Sequence, residues 1–156
     1  VTAPDRLLTA SFEHTVGVNF GGAIELAGFD LTGAEPVAAG PNGAVARLPA
    51  GRTLGVRLVW LGRAPLSRAH AVFVQLLDPD GRLVAQHDAP PAAGTRPVTG
   101  IIPGEYVPDD HPLPGSAHLA PGAYTLIAGL YDPITGERLP TPSGQTFVEL
   151  GRIEIR

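Results

Sequence analysis

Two polar clusters are the residues of this chain dense enough to do chemistry: His87-Asp88 and Asp109-Asp110-His111. Imidazoles and carboxylates brought together bind metals, move protons or hydrogen-bond a polar ligand. The spacing here matches no metal signature such as His-Glu-x-x-His. Asp109 and Asp110 are consecutive, so an extended backbone sends them to opposite faces and argues against a proton-sharing dyad. The plainer reading is loop carboxylates that cap backbone N–H groups or pair with an arginine such as Arg138. Trp60 is the single Trp. It could stack on a sugar, but it shares a strand face with Leu54, Val56 and Leu58 and reads as core. The candidate ligand-binding residues are therefore Trp60, His87, Asp88, Asp109 and His111. No catalytic residue, metal site or cofactor is expected.

Other chemistries find little footing. Ser11, Ser67, Ser116 and Ser143 lack a nucleophile elbow, and Ser116 in Gly115-Ser116-Ala117-His118 reads as a loop residue. A glycosidase needs two placed carboxylates, but with 15 acidic residues some pair always exists. Asp78-Pro79-Asp80-Gly81 opens like a calcium loop, yet the chain re-enters a strand at once. No Gly-rich phosphate loop precedes a helix. Without Cys there are no disulfides and no thiolate ligands.

The elements that must carry these residues are strands. Val72 to Leu77 and Tyr124 to Tyr131 are apolar, β-branched runs. Each is followed by an Asp-Pro…Gly turn, Asp78-Pro79-Asp80-Gly81 and Asp132-Pro133-Ile134-Thr135-Gly136, and then by a charged residue. Pro presets φ and Gly supplies the positive φ of a hairpin turn. Phe12, His14, Val16, Val18 and Phe20 alternate with polar residues or Gly, as in a half-buried strand. Ile24 to Leu31, Ala44 to Leu48, Leu54 to Trp60 and Phe147 to Ile155 read the same way, with Gly33 to Asn42 as a loop. Ala89 to Pro103 reads as a crossover between sheets. Glu105 to Leu113 reads as an edge strand, because Pro108 and Pro112 cannot donate to a ladder. Pro121-Gly122-Ala123-Tyr124 has the form of a tyrosine corner, with Tyr124 structural. The fold class is all-β, an immunoglobulin-like antiparallel β-sandwich of about eight or nine strands.

Composition agrees. Gly (20) and Pro (17) are enriched over the 156 residues, which demands many turns, and no long window keeps a helical period. The length suits one β-sandwich domain, 1–156. All 11 basic residues are Arg and none form a run, and the net charge is −4, so no nucleic-acid partner is expected. The lack of Lys reads as bacterial, GC-rich codon usage. No apolar run of about 18 residues is present, so no direct membrane insertion is expected. The first residue is Val1, as though the piece were excised from a longer chain.

Several segments, in order, resemble a known family. They are Val18-Asn19-Phe20-Gly21-Gly22 with Ile24 to Phe29, Leu58-Val59-Trp60, Phe73 to Asp78, Ala85 to Pro91, Pro103-Gly104-Glu105 with Asp109 and His111, and Pro121-Gly122-Ala123-Tyr124 through Asp132. They look like the C-terminal β-sandwich region of bacterial membrane glycosyltransferase-like proteins, similar to dolichyl-phosphate-mannose–protein mannosyltransferases. The resemblance spans roughly residues 16 to 156. The chain departs from it at Gln75, where the family often has His, and at Ile101-Ile102, where it has Trp. The resemblance implies a non-catalytic accessory domain on the extracytoplasmic face of the cell membrane. Its implied partners are its own membrane-embedded catalytic part and a glycan or lipid-linked sugar. The alternatives are a carbohydrate-binding module of a secreted enzyme and a purely structural or oligomerisation sandwich.

Overall fold

The computed structural model describes residues 6–37 and 44–156. The start at Val1 and residues 38–43 of the expected loop lie outside that range. Among the described residues there are ten strands: β1 His14–Phe20, β2 Ile24–Thr32, β3 Glu35–Pro36, β4 Ala44–Leu48, β5 Leu54–Gly62, β6 Ala71–Leu77, β7 Leu83–Ala89, β8 Tyr106–Leu113, β9 Gly122–Tyr131 and β10 Val148–Ile155. They form a four-stranded sheet, β1-β2-β5-β8, and a six-stranded sheet, β3-β4-β10-β9-β6-β7. The fold is an all-β sandwich. Ten strands exceed the expected eight or nine, because Glu35–Pro36, read as loop, adds a short edge strand. The sandwich is not wholly antiparallel either, since β10 pairs with β4 in parallel.

The period-2 pattern decides what each sheet buries. Leu54, Val56, Leu58 and Trp60 of β5 face inward, against Val72, Val74 and Leu76 of β6 and Leu126, Ala128 and Leu130 of β9 in one core. Each such side chain contributes on the order of 2 kcal/mol by leaving water. Phe20 packs edge-on to Trp60, with ring centroids 5.9 Å apart. Two glycines leave room for aromatic rings to approach the backbone closely. A Cβ on Gly28 would sit 2.1 Å from the Phe12 ring, and one on Gly129 would sit 2.5 Å from that of Phe73.

The turns follow their chemistry unequally. Asp78 Oδ1 accepts the N–H groups of Asp80 and Arg82, and β6 and β7 pair as a hairpin. The second turn also closes: Asp132 Oδ1 accepts the Ile134 N–H at 2.8 Å and Arg68 pairs with Oδ2 at 2.9 Å. Its returning arm, however, is a single bridge between Tyr131 and Arg138 rather than a strand. Pro140 lies two residues beyond Arg138, and β9 already has β6 and β10 on its two sides. The Tyr124 hydroxyl donates to the Ala120 carbonyl at 2.6 Å, completing the tyrosine corner. The segment after β7 crosses from one sheet to the other, and β8 is an edge strand.

Candidate functional site

Four of the five candidate residues meet in one hydrogen-bonded chain between the sheets. β8 pairs with β5 so that Trp60 lies opposite Val107 and Leu58 opposite Asp109. Asp109 and His111, two apart on β8, therefore point inward beside Trp60. Trp60 is 0% exposed, and Asp109 and His111 are 1% exposed. The Trp60 indole N–H donates to Asp109 Oδ2 at 3.0 Å, and His111 Nε2 meets the same oxygen at 2.6 Å. The Ala92 N–H donates to Asp109 Oδ1 at 2.8 Å. The chain continues from His111 Nδ1 to His87 Nδ1 at 2.9 Å, with the rings edge-on. His87 belongs to β7, in the other sheet. Burial and the neighbouring His111 hold its imidazole below the ordinary value, against the opposing pull of Asp109 and Asp88.

Asp109 also fixes the crossover. Ala92 and Ala93 both adopt left-handed backbone (φ 53° and 55°), followed by Gly94 at 87°. Such a conformation costs an alanine roughly 1–2 kcal/mol and persists where surrounding contacts impose it. Here the Asp109 carboxylate holds the Ala92 amide. Asp109 thus caps a backbone N–H, as expected, but from a strand rather than a loop and without an arginine. Arg138 lies instead over the Phe73 ring, 4.2 Å from its centroid.

Asp88 and Asp110 face the opposite way. Asp88 stands opposite Phe73 on the outer face of the six-stranded sheet and accepts the Tyr131 hydroxyl at 3.0 Å. Burial, then Asp88, pushes the Tyr131 phenol up. Asp110 is exposed on the outer face of the other sheet, 4.0 Å from Arg57. Among the described residues no three His, Cys, Asp or Glu side chains converge as metal ligands.

Two open grooves lie on the outer faces. One, of about 440 Å³, runs across the six-stranded sheet between the β6–β7 turn and the start of β10. Pro79, Thr125, Ile127, Phe147, Glu149 and Arg152 are among the residues that line it. The other, of about 660 Å³, crosses the four-stranded sheet over Gly55 between Asp30, Arg57 and Asp110. Phe147 and Arg152 were not among the sequence candidates. Phe147 stands just before β10, and Arg152 shares its face because a bulge between Glu149 and Gly151 resets the alternation, which the residue pattern does not reveal. A third polar centre was also missed. Glu105, 0% exposed, accepts Arg6 Nη1 at 2.6 Å and the Ile102 N–H at 3.2 Å. Arg96 pairs with its other oxygen at contact distance, outside ordinary hydrogen-bond angles. Burial pushes this carboxyl up, but the Ile102 amide and the two arginines outweigh it and hold it below the ordinary range.

The arrangement is that of a β-sandwich whose interior polar groups bind one another. No family model matches the sequence, and no curated protein matches it. Among solved structures, the chain is similar to the crystal structure of the C-terminal domain of wzt. That likeness has a TM-score of 0.54 at 13% identity and covers 89% of this chain and 77% of the other. It bears on the fold alone.

Proposed function

We propose that this domain is a non-catalytic recognition module that holds a glycan, or a glycan-bearing acceptor, on the outer face of its six-stranded sheet. The observation that carries this reading is the groove beside Phe147. A sugar presents an apolar C–H face and a rim of hydroxyls. The groove offers the half-buried Phe147 ring for the first, and Thr125, Glu149 and Arg152 for the second. Trp60 is in the core and supplies no stacking surface. Attachment to a membrane glycosyltransferase-like protein, on the extracytoplasmic side, rests on the sequence resemblance. The same groove would equally serve a carbohydrate-binding module of a secreted enzyme.

The test is to titrate the isotopically labelled domain with oligosaccharides and with a detergent-solubilised polyprenyl-linked sugar. Amide shifts should concentrate at residues 123–127 and 147–152. Phe147→Ala should abolish them while leaving the melting temperature nearly unchanged, since Phe147 is outside the core cluster. No shifts, or shifts confined to another face, would overturn the reading. Sequencing the reading frame upstream separates the two parents: several apolar runs of about 20 residues mark the membrane protein.

A further inference from the structure

Strand register carries the groove sideways into a row of side chains that the fold itself leaves unused. Ile127 of β9 lines the groove, and Glu149 of β10 stands opposite it. On the other side of Ile127 the ladder places Gln75 of β6, and opposite Gln75 stands Gln86 of β7. Val74 and Leu76, on either side of Gln75, face the core, as do Leu126 and Ala128 on either side of Ile127. Gln75, Ile127 and their cross-strand partners therefore share the outer face. Glu149, Ile127, Gln75 and Gln86 form one row across four strands. Three strand spacings make it about 14 Å long, a span that a single sugar ring does not cover.

The neighbouring row uses its polar groups internally. The Arg138 guanidinium lies 4.2 Å from the centroid of Phe73, and Asp88, opposite Phe73, accepts the Tyr131 hydroxyl. The two glutamines differ. Gln86 is exposed, and the half-buried Gln75 has no buried polar atom left unpaired, so both amides reach solvent. Each offers donors and an acceptor without a charge, which matches sugar hydroxyls. One outward amide needs no more explanation than solvation. Two in register, continuous with the groove and beside a row that is closed on itself, extend the same binding surface.

We propose that the Gln75–Gln86 pair is a second subsite of the groove, and that the ligand is an uncharged glycan several sugars long, laid across the strands from Phe147 toward β7 with its hydroxyls on the two amides. This rests on the recognition reading above and deepens it by assigning the ligand a length and a charge.

The test is a ¹⁵N titration of the 156-residue chain that follows side-chain amides as well as the backbone. The sequence holds three Gln and two Asn, so these signals are few. The probes are neutral linear mannans and glucans of two and of six units, and a hexauronate. A neutral six-unit probe should shift the Gln75 and Gln86 side-chain signals together with residues 123–127 and 147–152. It should bind about tenfold tighter than its two-unit counterpart, and Gln75→Ala with Gln86→Ala should remove that gain. Should the double variant not fold, Gln86→Ala alone, at an exposed edge position, should remove part of it. Groove shifts with silent glutamine signals, or equal affinity for two and six units, overturn the second subsite and leave the recognition module standing. Tighter binding of the hexauronate overturns the uncharged ligand. No shift with any probe overturns both readings.

Discussion

Glu105 and Asp109 stand four residues apart, one just before β8 and one within it, and both are withdrawn from water. They are stabilised by opposite means. Glu105 is met by charge: Arg6 from the N-terminal segment and Arg96 from the crossover close on it, both partly exposed. Asp109 is met by an indole N–H, a backbone N–H and an imidazole, with no arginine. The first arrangement is a staple between segments whose cations can fall back on water. The second is a closed network in which each donor is itself buried or tied to a strained backbone. A buried carboxylate therefore differs in what it leaves behind when removed.

The largest effect should come from Asp109→Ala. It orphans three donors at about 1–3 kcal/mol each, so denaturant unfolding should show a loss of about 3 kcal/mol or more. A loss below about 1 kcal/mol would mean the network relaxes or takes in water. Glu105→Gln should cost less, about 2 kcal/mol, because Arg6 and Arg96 retain access to solvent. The two variants should also differ in acid. Glu105 titrates below its ordinary 4.5 in the fold, so its contribution is complete above that value and is lost as pH falls toward the folded value. That slope should vanish in Glu105→Gln and survive in Asp109→Ala.

A smaller, milder-pH effect belongs to the outer end of the Asp109 network. His87 is depressed below 6.5, so the unfolded chain binds more protons and stability declines as pH falls beneath 6.5. Thermal melts between pH 7.5 and 5 should show this decline, and His87→Gln should flatten it. The smallest effect is the control. Asp110→Ala, next to Asp109 but on the outer face with only a long contact to Arg57, should leave the melt unchanged. A clear loss there would break the distinction between inward and outward acids.

Much of this was legible in the residues. Alternation gave Trp60 its inward face, consecutive placement separated Asp109 from Asp110, and Pro108 and Pro112 put β8 at an edge. Pro121-Gly122-Ala123-Tyr124 foretold the bond to Ala120. The reading went astray where a turn did not dictate what followed it, as after Gly136, and where Glu35–Pro36 joined a sheet on two residues.

The sequence by itself thus determined strand, face and turn, because a pleat of period two and the φ limits of Pro and Gly are local properties. Only the tertiary structure decided partners. Arg6 and Arg96 on Glu105, His87 on His111 and Ala92 on Asp109 depend on strand register and on how one sheet lies over the other. A side chain's alternation tells which way it points, and the fold alone decides what it meets there.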